Sequence, residues 1–239
     1  MNVKNTNFGF VSDRVILGGA VALGIAIIVL AIVFGKGSGS SPDTSTAPID
    51  GRSGLEVKQE QALGNPNASS TIIEFLDFQC SACVAYFSQV EPQVRAQFID
   101  TGKAKWIVKP LSFIDGQNKK GESFNAARAA ECAAEQGGFW KMHDAIYSAE
   151  SAELLAKKNN ENSGNLTRDA FMGFAQKNGL DTAAFGTCYD SDKYTNITSE
   201  YMKDAQAALH DQVATPSIFV NGVHLKNPFD LKEYSELIK

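Results

Sequence analysis

Thr71 to Phe78 reads TIIEFLDF and runs directly into Gln79-Cys80-Ser81-Ala82-Cys83. A short stretch so rich in β-branched and aromatic residues is a buried strand, and it feeds a turn. Beyond Cys83 the apolar residues Val84, Phe87, Val90, Val94 and Phe98 recur at helical spacing, and Gly102 supplies the stop. A helix therefore begins at the cysteines. Lys105 to Phe113 (KWIVKPLSF) is the next strand, and strand, helix, strand is the order of a parallel crossover unit.

A Cys-x-x-Cys that opens a helix has a physical rationale. The first sulfur faces unpaired backbone N–H groups and the positive end of the helix dipole, which stabilise a thiolate; the second, one turn along, lies within disulfide distance. Cys80 is then the nucleophile and Cys83 the resolving thiol. Zinc sites use the same spacing but need two further ligands, and the chain holds neither a second Cys-x-x-Cys nor a His-x-x-x-His, so no metal is expected. Glu74, six residues before Cys80, is a candidate acid or base for the proton of Cys83 if it lies buried beneath the turn. The competing reading is a solvent-facing Glu74 on an edge strand. Alternation puts it with Ile72 and Leu76, opposite Ile73 and Phe75, and does not decide between the two.

Working outward, residues 119–211 are almost wholly helical. Ala-rich Ser123 to Gln136 stops at Gly137-Gly138, and Phe139, Met142, His143, Ile146 and Tyr147 share one apolar face. Thr167 and Asp181 read as N-caps, Gly179 as a stop, and Tyr194, Ile197, Tyr201, Ala205, Ala208 and Leu209 stripe a longer helix. Ser217 to Val220 returns as a strand, Asn221-Gly222 is a strong hairpin turn to Val223–Leu225, and Phe229 to Lys239 closes as a helix. Thr215-Pro216 sits immediately ahead of that strand. A proline there marks a strand start or a strained turn, with a cis bond and an ordinary trans turn both open. The layout is an α/β sheet domain over 55–239, interrupted by a helical insertion at about 119–211.

The amino-terminal region is different in kind. Residues 15–34 (VILGGAVALGIAIIVLAIVF) carry no charge and as a helix span roughly 30 Å, the thickness of a bilayer's hydrocarbon core. They read as one uncleaved transmembrane anchor, since a cleavable signal has a shorter apolar region. Lys4 and Arg14 precede the run and only Lys36 follows closely, which places a 1–14 tail in the cytoplasm and the remaining chain on the extracytoplasmic side of the cell membrane. Residues 35–54, a Gly/Ser/Thr/Pro mixture, form a flexible tether with a reach of about 25 Å. With a net charge of −5 and scattered Lys and Arg, the chain of 239 residues offers nucleic acid no electrostatic footprint.

Two more cysteines, Cys132 and Cys188, fall on helical segments of the insertion. In an oxidising exterior they read as a structural disulfide, with two buried thiols or a second redox pair as the other possibilities. His143 shares the face of Phe139 and Met142 and reads as a packed core histidine.

Three stretches together, EFLDFQCSAC (74–83), AARAAECAAEQGGFWKMHDAIY (126–147) and ATPSIFVNG (214–222), resemble the DsbA-like thiol-disulfide oxidoreductases. The resemblance covers nearly all of Ala62 to Lys239 and none of the anchor. It implies a thioredoxin-like fold with a helical insertion, Pro216 as a cis-proline facing the active-site pair, Thr215 as the backbone partner of an extended substrate, and Glu74 as the buried acid. One departure matters: Ser81-Ala82 lacks the histidine of strongly oxidising members, which points to a milder oxidant. The expectation is a membrane-tethered dithiol oxidase for exported proteins, needing no bound cofactor. By the same resemblance, a membrane quinone-linked thiol oxidase is its reoxidant. A reductase or isomerase of the same fold stays open, as does a non-catalytic binding or metal-chaperone module.

Overall fold

In the computed structural model, residues 61–239 are described, apart from Gln117, Lys158 and Asp192. The expected tail, anchor and tether at 1–14, 15–34 and 35–54 lie outside the described residues. Among the described residues no helix is long and apolar enough to cross a membrane.

Five strands form one mixed sheet in the order β1-β3-β2-β4-β5: β1 (Leu63–Gly64), β2 (Ser70–Leu76), β3 (Ala104–Pro110), β4 (Ser217–Val220) and β5 (Val223–His224). The crossover expected from the sequence is present, with β2 parallel to β3 from Ser70↔Ala104 to Leu76↔Pro110. On its other side β2 pairs antiparallel with β4, Ile72↔Val220 to Phe75↔Ser217. Asn221 and Gly222 both have positive φ, 50° and 83°, which is the backbone a tight hairpin between β4 and β5 requires. The two-residue β1, antiparallel to β3, had no signal in the sequence. It carries too few residues to show a period.

Alternation along β2 and β3 divides the core in two. Ile72, Leu76, Trp106 and Val108 face the larger core with the redox-motif helix α1 (Ser81–Gln89), while Ile73, Phe75, Ile107 and Phe219 face a smaller one. The helix begun at the cysteines is not continuous. It breaks at Val90 (φ −112°), restarts as α2 (Glu91–Val94) with Pro92 in its first turn, and ends in a π-helical turn, Arg95–Ile99. Pro92 has no N–H to donate back to Ser88, so the ladder cannot run through it, whereas a first-turn position needs no such donor.

The insertion supplies α3 (Glu122–Ala134), α4 (Phe139–Lys157), α5 (Arg168–Lys177), α6 (Thr182–Asp190) and α7 (Ile197–Leu209). Gly137, at φ +66°, ends α3, with Gly138 N–H returning to Ala133 O at 2.8 Å. Thr167 and Asp181 cap α5 and α6 through their side-chain oxygens. α7 covers the smaller core with Ala205 and Leu209, and α8 (Leu231–Leu237) buries Tyr234 in the larger one. Lys109, buried on β3, is satisfied from α7 by Asp204 at 2.6 Å.

Cys132 on α3 and Cys188 on α6 form a disulfide across a sequence separation of 56, with Cα atoms 5.7 Å apart. A bond closing a loop of that length removes about 4 kcal/mol worth of freedom from the unfolded chain in the entropy model. Replacing both cysteines by alanine is expected to lower unfolding stability by about that amount in equilibrium denaturation. An unchanged denaturation midpoint would show that the bond contributes nothing.

Candidate active site

The turn that carries the cysteines is organised by Asp77. Its carboxyl is fully buried and accepts three hydrogen bonds: from Gln79 N (2.9 Å), Ser123 Oγ (2.6 Å) and Ile114 N (2.9 Å). Its carbonyl accepts Cys80 N at 3.0 Å. Burial outweighs these donors and pushes the Asp77 carboxyl up to about 6. Nothing in the periodicity singled Asp77 out, although an Asp two residues before a backbone N–H is the signature of a side-chain-capped turn.

Cys80 occupies the N-cap of α1 in extended conformation, and its carbonyl accepts Val84 N at 3.0 Å. Its sulfur is partly exposed and lies 3.4 Å from the carbonyl oxygen of Thr215, to which the thiol donates. The Thr215–Pro216 peptide bond is cis. Cys80 and Cys83 are free thiols here, and their environments are opposite. The Cys83 thiol donates to the Cys80 sulfur and lowers its pKa to about 6, against the effect of burial and helped by the Thr215 side chain and the amides of Cys83 and Ala82. Burial lifts Cys83 well above the usual thiol range, and the neighbouring Cys80 and Glu74 lift it further.

Glu74 lies on β2 between Val108 and Ile218, 1% exposed, on the face that holds Cys83. Its strand is the central one, so the solvent-facing edge position considered from the sequence does not occur. Burial, then the Glu91 charge, raises its carboxyl well above the usual range; the Trp106 indole and Arg95 offset part of this. Among the described residues no group meets full hydrogen-bond geometry with Glu74 Oε2 or Trp106 Nε1, so the indole eases the carboxyl only by a long approach. The structure thus brings Cys80, Cys83, Glu74, Thr215 and Pro216 to one place, and joins Cys132 to Cys188 apart from them.

Tyr147, read from the sequence only as apolar face, is a member of the site. Its hydroxyl donates to Asp77 O at 3.4 Å, and burial, then Cys83, raises its pKa. His143 is fully buried among Phe78, Phe87, Trp140 and Tyr147, with Nδ1 2.9 Å from Asp144 Oδ1. Glu91, His143 and Asp144 are spaced like metal ligands. Arg95 already engages both carboxylates, at 2.8 Å from its Nε to Glu91 Oε1 and 2.6 Å from Nη2 to Asp144 Oδ1, so the cluster carries its own cation.

A protein-family model described as Thioredoxin matches residues 56–239. Among curated proteins, the chain is 23% identical over 209 residues to a Rickettsia felis protein named "Putative protein-disulfide oxidoreductase", covering 82% of this chain and 69% of that one. It is 30% identical over 178 residues to Na(+)/H(+) antiporter NhaA 1 of Mycolicibacterium gilvum, covering 74% of this chain. It spans only about a quarter of the antiporter's length, 25%. Among solved structures, oxidised BdbD from Bacillus subtilis superposes with a TM-score of 0.61 at 24% identity, over 76% of this chain and 91% of that one. Chlamydia trachomatis DsbA gives 0.61 at 22% identity, over 76% and 92%.

The contrast between the two thiols has a direct readout. Alkylation of the reduced chain is expected to modify Cys80 alone, with a rate that rises through a midpoint near pH 6, while Cys83 reacts only after denaturation. Because the folded pKa is depressed, the stability that Cys80 lends the reduced chain is full above the unfolded thiol pKa and fades as pH falls through 6. A midpoint in the ordinary thiol range, or equal labelling of both cysteines, contradicts this description.

Proposed function

The chain belongs to the thioredoxin family, and from that premise we propose that it is a thiol-disulfide oxidoreductase acting on other polypeptides through Cys80 and Cys83. One observation carries the reading: a partly exposed cysteine at the tip of a helix faces the cis Thr215–Pro216 loop, with a second, buried thiol one turn along. In the oxidised enzyme a substrate thiolate attacks Cys80 Sγ, forming a mixed disulfide and expelling Cys83 as a thiolate. A second substrate thiolate then attacks the substrate's own sulfur in that bond. Cys80 leaves as a thiolate, and two electrons have passed to the enzyme.

The direction we favour is oxidation, since a Cys80 thiolate stable at neutral pH makes the reduced enzyme the preferred product. Glu74 supplies the proton that Cys83 takes up on leaving and accepts it when Cys83 attacks an unproductive mixed disulfide. Thr215 and Pro216 line the position of the substrate backbone opposite Cys80. An extracytoplasmic site, held by residues 15–34 in the membrane, fits the Cys132–Cys188 bond, which persists in oxidising compartments. Regeneration by a membrane quinone-linked oxidase completes the cycle. The uncharged Ser81-Ala82 pair keeps a reductase or isomerase as the second reading.

The test is refolding of a reduced, unfolded secretory substrate. The oxidised chain is expected to form its disulfides, Cys80→Ala and Cys83→Ala each to abolish this, and Glu74→Gln to slow turnover roughly ten-fold or more. With a substrate that already carries a disulfide, Cys83→Ala is expected to accumulate the mixed disulfide, as Cys80 attacks that bond and expels one substrate thiolate. Equilibration with glutathione fixes direction: a potential near thioredoxin's, about −270 mV, rules out the oxidase. The anchor is checked separately, by whether the full chain stays with membranes through an alkaline wash.

A further inference from the structure

The dipeptide between the cysteines carries no charge, yet both residues flanking Cys80 are gripped by the insertion. Resting on the exchange reading above, we propose that Asn160, in the loop between α4 and α5, is a positioning residue that tunes the reactivity of the Cys80 sulfur through its bonds to Gln79 and Ser81. Asn160 is fully buried. Its amide nitrogen donates to the carbonyl of Gln79 at 2.6 Å and to Glu150 Oε2 at 2.8 Å, and its amide oxygen accepts the Ser81 hydroxyl at 2.9 Å.

The orientation of that amide is fixed by its partners. The Gln79 carbonyl only accepts, so the nitrogen must face it and the oxygen must face Ser81; burial lifts the neighbouring Glu150 carboxyl to about 7. Glu150 is itself held by Asn165 Nδ2 at 2.7 Å on its other oxygen. Two residues further along the loop, Asn162 N donates to Gln79 Oε1 at 2.5 Å, while Gln79 Nε2 reaches Ser123 Oγ at 2.7 Å and Asp115 Oδ1 at 3.1 Å. Glu122 closes the loop's far end by accepting Gly164 N (3.0 Å) and Leu166 N (2.8 Å).

One consequence reaches the sulfur. The Ser81 hydroxyl, donating to Asn160, ties the start of α1 to this loop. The Gln79 carbonyl, one peptide from Cys80, has its negative end engaged by the Asn160 amide. Without that donor a buried carbonyl dipole stands unopposed beside a developing thiolate, and the thiolate is disfavoured.

The experiment measures alkylation rate against pH for the reduced full chain, with the potential against glutathione as a second readout. Asn160→Ala is expected to raise the Cys80 midpoint by about half a unit or more, so that at about pH 5 alkylation slows three-fold or more. Asn160→Asp, which keeps an acceptor for Ser81 but turns an oxygen toward Gln79, is expected to raise it at least as far, and serves if the alanine variant does not fold. Ser81→Ala should move the midpoint less than Asn160→Ala does. Folded Asn160 variants with the parent midpoint overturn the proposal, and so does a larger shift from Ser81→Ala, which would put the control in the dipeptide itself. The measurement needs no protein substrate. A chain inactive in refolding that still shows the Asn160-dependent midpoint sinks the exchange reading alone, and an active chain with an unmoved midpoint sinks this one alone.

Discussion

One buried carboxyl ties together the three pieces of chain on which the site depends. Asp77 receives N–H or O–H donors from its own turn, from the loop after β3 and from the start of α3. None of these pieces alone could fix the direction in which Cys80 points. The arrangement costs desolvation of an acid, which is why the carboxyl titrates near 6, and three donors offset part of that cost. A turn free to rearrange would let the Cys80 sulfur drift from the helix tip that favours its thiolate.

Placing the two cysteines in different solvation follows from the same geometry. α1 starts at the surface and runs down against the sheet, so three residues take the chain from a partly exposed sulfur to one fully enclosed beside Glu74. Electrostatics inside that enclosure are self-reinforcing. Glu74, Cys83 and Tyr147 all resist ionisation, and each would pay more if a neighbour were charged. Of the two sulfurs, the outer one is where a negative charge resides at lower energy.

Much of this was legible from the chain. The β2 strand, the helix opened by Cys80, the parallel return at β3 and the Asn221-Gly222 hairpin each rest on local periodicity or turn chemistry, which is short-range information. The break at Val90 was missed because apolar spacing survives across Pro92 even though the hydrogen-bond ladder does not. The place of Glu74 needed the sheet order, because a two-residue period tells which face a side chain shares but not whether that strand is central. The polar clamp of Gln79, Ser81, Asn160 and Glu150 was invisible for a third reason. It joins residues about eighty apart, and amides and hydroxyls in a polar loop give no pattern that distinguishes a buried network from a solvated one.

The pairing of β2 with β4 has a bearing on how such a chain is made. Ile72 meets Val220 across the sheet, and every insertion helix is threaded between them in sequence. During synthesis from the amino terminus, the Cys-x-x-Cys is complete long before the segment that faces it exists, and a contact so distant in sequence forms late. For that interval the dithiol is born without its opposing loop, exposed to whatever thiols its surroundings offer. Competence arrives only with β4 and the loop ahead of it, so a ribosome that stalls short of them releases the nucleophile without the wall that was to govern its choice of partner.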